Sequence, residues 1–174
     1  SLPDAIVGNA YSQQLSATGG TGALAWTLTA GAMPVGLSLN PAGLITGSPT
    51  TAGVHTLTFR VQDTVTVSAT QTVPLRVLTV PVITTTTLAP ATVGHSLTIA
   101  LSASSGTPPY SWSIANGSLP PGLGLNTSSG TLSGSAATAG TFAFTVKVTD
   151  AANQEAMASL SWTVNPALSI TTAT

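Results

Sequence analysis

Residues 33–53, MPVGLSLNPAGLITGSPTTAG, return once with small changes as residues 119–140, LPPGLGLNTSSGTLSGSAATAG. In each stretch a Pro-x-Gly turn leads into Leu-x-Leu-Asn, then a glycine turn, a short apolar-polar alternation, a second glycine and a Thr-Ala-Gly turn. Proline fixes φ and glycine opens positive φ, so the pattern reads as short strands joined by tight turns.

The repetition extends outward from this module. Gly8, Leu15, Ala17, Trp26, Gly31, Pro34, Gly36, Leu37, Leu39 and Asn40 find their counterparts 86 residues later, from Gly94 to Asn126. After one inserted residue the offset is 87, and Gly43, Gly47, Gly53, Val61, Asp63 and Val77 match Gly130, Gly134, Gly140, Val148, Asp150 and Val164. The chain of 174 residues is therefore two copies of one domain.

Copy two opens with residues 81–87, PVITTTT, a β-branched run that reads as a first strand. Ser1-Leu2 already aligns with Thr87-Leu88, so copy one shows no counterpart. The equivalent run instead follows copy two, as residues 166–174, PALSITTAT, with Ile170 standing 87 positions after Ile83. The expected organisation is a first domain at 1–80 lacking its own first strand and a second at 81–165. Residues 166–174 then form a strand for the first domain of the next unit.

Composition narrows the function. Three basic and four acidic residues leave a net charge of −1, and there is no cysteine. Such a chain has no electrostatic footprint for nucleic acid or an anionic membrane. No apolar run approaches the roughly 18 residues that span a bilayer, and thiol and disulfide chemistry are absent. The opening Ser-Leu-Pro-Asp carries no basic or apolar leader, so any secretion signal is expected to have been removed or to lie outside this chain. With so few charges, solubility falls to hydroxyl groups or to sugars attached to them, which leans toward an extracellular or cell-surface location.

Along each copy the apolar residues alternate. Tyr11, Gln13, Leu15 and Ala17 correspond to Leu97, Ile99, Leu101 and Ala103, and the longest alternations, Leu57-Phe59-Val61 and Phe144-Val146-Val148, end at Asp63 and Asp150. With no helical period, two packed antiparallel sheets per copy are expected. Trp26 and Trp112 are the expected core anchors, each worth roughly 3–5 kcal/mol on truncation to alanine. Pro74 places its strand at an edge or a bulge.

The string Leu/Met-Pro-x-Gly-Leu-x-Leu-Asn, then Gly-x-Ile/Leu-x-Gly, Thr-Ala-Gly and alternating apolars to Val-x-Asp resembles the immunoglobulin-like, cadherin-like domains that occur in tandem in bacterial surface proteins. It covers nearly all of both copies. The resemblance implies an all-β chain of two tandem Ig-like β-sandwich domains, used for spacing, adhesion or assembly, and it implies no reaction. Cadherin-like relatives bind Ca²⁺ between domains with several carboxylates, but the acidic linker is missing at Val80-Pro81.

Candidate sites are few. His55 and His95 occupy unrelated repeat positions, with no cysteine or carboxylate cluster beside them, so no catalytic residue, cofactor or enzyme activity is expected. The turn Asp150-Ala-Ala-Asn153-Gln-Glu155 is a weak calcium candidate, against the reading of an aspartate closing a β-turn through its own backbone. Asn116-Gly-Ser and Asn126-Thr-Ser are N-glycosylation sequons, both expected in turns, and they read equally as turn residues. The expected assembly strand comprises Leu168, Ser169, Ile170, Thr171, Thr172, Ala173 and Thr174.

The function expected from these residues is the repeat unit of an extracellular filament or cell-surface stalk. Its partners are identical units joined head to tail, by strand complementation between subunits or within one continuous chain, with glycans as further partners. The alternative is a non-catalytic carbohydrate-binding or spacer module of a secreted enzyme or adhesin, which a solvent-facing aromatic row would favour.

Overall fold

The computed structural model describes residues 1–170, in two compact units that divide between Thr79 and Val80. Thr171, Thr172, Ala173 and Thr174 of the expected assembly strand lie outside the described residues.

Unit 1 contains β1 (Ala5–Ile6), β2 (Tyr11–Gln14), β3 (Ala25–Ala30), β4 (Leu37–Leu39), β5 (Leu44–Gly47), β6 (Gly53–Gln62) and β7 (Ser68–Leu78). One sheet runs β1-β7-β6-β3 and the other β2-β5-β4. All neighbours are antiparallel except β1, which lies parallel to β7 through Ala5↔Val77 and Ile6↔Leu78. Inward-facing residues of the two sheets form one core, with Ile45 from one and Leu57, Phe59, Leu75 and Val77 from the other. Alternation puts Leu57, Phe59 and Val61 on one face of β6, and the core begins there because that face cannot be shared with water.

Unit 2 repeats this with β9 (Ala91–Thr92), β10 (Ser96–Ala100), β12 (Ser111–Gly117), β13 (Leu123–Leu125), β14 (Thr131–Ser135), β15 (Gly140–Thr149) and β16 (Glu155–Asn165). Its sheets run β12-β15-β16-β9 and β10-β14-β13. The likeness reaches irregularities: a bulge interrupts β3 between Leu28 and Ala30, and β12 between Ile114 and Asn116. Unit 1 has seven strands in two sheets. Among the described residues unit 2 has nine, because β8 (Pro81–Ile83) and β11 (Ala103–Ser105) form a further antiparallel pair.

The repeated glycine module is held by matching turns. Leu37 N–H donates to the Pro34 carbonyl at 3.0 Å and Leu123 N–H to that of Pro120 at 3.1 Å, closing the Pro-x-Gly turns. The Asn40 side-chain oxygen accepts from Leu44 N–H, and that of Asn126 from Ser128 and Ser129 N–H. Pro74 sits in a regular β6–β7 ladder, where the outer edge of β7 is open because β1 reaches only Val77 and Leu78. No ladder bond is lost there.

One turn carries strain in copy one alone. Thr66 holds φ +71° where its counterpart Asn153 holds φ +59°. A β-branched residue is poorly suited to that region and asparagine tolerates it. Thr66→Asn is therefore expected to stabilise unit 1 by about 1 kcal/mol, measured as a rise in the urea midpoint.

Candidate functional site

The extra pair in unit 2 defines a slot. β8 runs antiparallel to β11 with Ile83↔Ala103, Val82↔Ser104 and Pro81↔Ser105, and it packs against β15 and β16. Pro81 is fully buried, Ile83 packs on the core and Val82 points outward, half exposed. In the core of the same unit Trp112 is only 4% exposed and Val148 is fully buried.

Unit 1 presents the same slot open. Among the described residues no strand lies beside residues 17–19, the counterparts of β11, and no hydrogen bond reaches their main chain. A groove of about 360 Å³ runs along this edge, lined by Ala17, Trp26, Phe59, Val61, Ala69 and Gln71, among others. Each residue that loses cover is less buried than its partner in the other copy. Val61 is half-buried against buried Val148, and Ala17 and Ala69 are exposed against half-buried Ala103 and Ala156. Trp26 corrects the expectation that both tryptophans are buried alike: it packs on the core of unit 1 but is half-buried, because one face of the indole borders the groove.

The open edge is held in shape. Gly19 and Gly20 have φ of +80° and +79°, and their counterparts Ser105 and Gly106 have +58° and +67°. Behind it, buried Asp63 accepts hydrogen bonds from the main-chain N–H groups of Thr21 (2.9 Å), Val65 (3.1 Å) and Val67 (2.8 Å). Asp150 does the same for Thr107, Ala152 and Gln154 at 2.8–2.9 Å. These aspartates tie the edge loop to the β6–β7 or β15–β16 turn in the filled and the open slot alike.

The other carboxylates are also engaged. Arg76 of β7 forms an ion pair with Asp4, whose carboxyl its hydrogen bond holds below the usual range, and this fixes the chain entering β1. Lys147 pairs with Glu155 at 2.9 Å and lowers that carboxyl likewise. Burial pushes the Tyr11 phenol up, and its hydroxyl donates to the Pro3 carbonyl. Because the folded-state pKa of Asp4 is depressed, its contribution is present above the ordinary carboxylate range and lost as pH falls through it. A double-mutant cycle of Asp4→Asn and Arg76→Gln is expected to show a small favourable coupling at pH 7 that vanishes at acid pH. A coupling unchanged by acid would contradict the ion pair.

The weak calcium candidates fall into separate arrangements. Asp150 is bonded to backbone, Asn153 N–H donates to the Asp150 carbonyl within the turn, and Glu155 faces Lys147. Among the described residues no group of three or more ionisable or cysteine side chains is placed to hold a metal. His55 Nδ1 lies 3.3 Å from the Ala32 carbonyl, while His95 is exposed, in a turn before β10. Both sequon asparagines are exposed, but only Asn126 lies in a turn. Asn116 corrects the expectation, standing in β12 at the bulge. Leu168 and Ile170 are 97% and 90% exposed.

Comparison with known proteins agrees with this geometry. A family model described as a putative Ig domain matches twice, over residues 1–78 and 80–165. No curated protein matches. Among solved structures, extracellular domains 3–5 of Drosophila OTK align at TM-score 0.63 and 13% identity, over 94% of this chain and 59% of that one. The C-terminal 282-residue fragment of intimin, solved with the intimin-binding domain of its translocated receptor, aligns at TM-score 0.56 and 22% identity, over 90% of this chain and 57% of that one. An endo-fucoidan hydrolase of glycoside hydrolase family 107 aligns at TM-score 0.43 and 20% identity, over 96% of this chain. The chain spans only 28% of that enzyme's length, and the likeness carries no functional argument. Among the described residues no helix is long and apolar enough to cross a membrane.

Proposed function

Since the chain belongs to the putative Ig domain family across both of its halves, we propose that it is a non-catalytic structural segment of an extracellular filament or cell-surface stalk or adhesin. The observation that carries this reading is one sandwich repeated in tandem, down to its bulges, turns and aspartate bridges. A tandem of like domains builds length. The carboxylates support the reading, since all four serve the fold through backbone bonds or ion pairs. A surface rich in hydroxyls and poor in charge fits an extracellular setting.

The carbohydrate-binding alternative needs aromatic faces presented to solvent. Five of the eight aromatic side chains belong to the buried cores, Tyr110 and Phe142 are half-buried, and Trp26 is a single half-buried indole bordering the groove, so the aromatics form no solvent-facing row. The structural reading therefore ranks first. Immunogold imaging of intact source cells tests it. Label is expected along surface fibres or stalks at a regular spacing, without lysis. Label that appears only after lysis would overturn the reading.

A further inference from the structure

We propose that the groove of unit 1 accepts residues 168–170 from a second copy of this chain, which enter as an antiparallel strand beside residues 17–19. The proposal deepens the structural-segment reading, and rests on it, by naming what joins one copy to the next.

The filled slot of unit 2 supplies the template. Carried over at the repeat offsets, its register pairs Ile170 with Ala17, Ser169 with Thr18 and Leu168 with Gly19. Side chains then fall where the chemistry requires. Leu168 takes the place of fully buried Pro81, Ile170 that of core-packed Ile83, and Ser169 that of outward-pointing Val82. The two residues with apolar roles are also the two most exposed of the large hydrophobics, at 97% and 90%. They meet a groove whose Trp26, Val61 and Ala69 are uncovered relative to Trp112, Val148 and Ala156. Main-chain bonding along an open edge would give affinity and the alternate pockets would give register.

Little reorganisation is needed, because the Asp63 bridge and the positive φ of Gly19 and Gly20 already hold the edge as β11 is held. An acceptor that is formed beforehand avoids most of the ordering cost of binding. Residues 166–174 contain no ionisable side chain, so docking should be nearly indifferent to salt. Since donor and acceptor lie on different parts of the chain, the contact is heterologous, and each docked copy offers a further groove.

The full 174-residue chain tests this with two variants. Leu168→Asp with Ile170→Asp disables the donor, and Ala69→Glu places a charge in the acceptor. Light scattering over rising concentration is expected to show wild-type mass growing past the dimer, at 50 mM and 500 mM salt alike, with acrylamide quenching of Trp26 falling in step. Each variant alone should associate at least about 100-fold more weakly. A mixture of the two should form one-to-one dimers and stop, because it holds one working donor and one working acceptor.

Three results would overturn the proposal: a wild-type chain monomeric and equally quenched throughout, a donor variant associating like wild type, or a monomer whose Trp26 is shielded in a tail-dependent way. The first would leave the structural-segment reading standing, with repeats joined within a longer chain. Immunogold label confined to lysed cells would instead remove that reading.

Discussion

Trp112→Ala is expected to cost unit 2 about 3–5 kcal/mol, and Trp26→Ala, at the same repeat position, to cost unit 1 about half as much. The chemistry deleted is identical, so the difference measures cover. Trp112, in the unit whose slot is filled by β8, is only 4% exposed and leaves a closed cavity when truncated. Trp26 already has one face on the groove, so less area is lost from contact and water can fill the space. Urea unfolding of each variant, followed by the remaining tryptophans and by circular dichroism, gives both numbers. Equal costs would mean that the groove does not weaken the core beneath it.

The second large effect belongs to the repeated glycines. A Cβ on Gly36 would stand 2.1 Å from the Ser48 carbonyl oxygen, and one on Gly122 the same 2.1 Å from that of Ser135. Both residues have φ near +90°. Gly36→Ala and Gly122→Ala must therefore break the close approach of the Pro-x-Gly turn to the chain at the end of β5 or β14, at an expected cost of about 2–5 kcal/mol. Gly8 and Gly94 supply the control, having φ of +81° and +82° but nothing within 4 Å of where a Cβ would stand. Their alanine variants should cost only about 1–2 kcal/mol, the strain of the left-handed backbone. Calorimetric melting separates the two classes. If all four behave alike, the signature glycines serve backbone conformation and not packing.

These glycines show why the fold was legible. Their spacing reports positive φ and close approach, both local properties, and the Leu57-Phe59-Val61 alternation reports a buried face directly. The repeat then checked each reading against a second copy. Position within a sheet is not local, and there the sequence said less. Trp26 and Trp112 look equivalent in any window, yet one is half-buried beside an open groove and the other is buried in the unit that carries β8. Asn116 looks like a turn residue before Gly117, but bulge and strand pairing with β15 keep it in β12. The groove itself was missed as a set of residues, although Ala17, Val61 and Ala69 stood opposite Ala103, Val148 and Ala156 in the repeat. The signal was the repeat equivalence of residues 168–170 with 81–83, read as a strand for another unit but not traced to the side chains that strand would cover.

Hydrogen–deuterium exchange at two concentrations tests most directly the claim that unit 1 carries, open, the slot that β8 fills in unit 2. Amides of residues 103–105 are expected to be protected in dilute and concentrated samples alike. Those of 17–19 should exchange freely when dilute and gain protection as the chain associates, together with 168–170. Association that leaves 17–19 unprotected, or equal protection of both edges in dilute solution, would contradict the account.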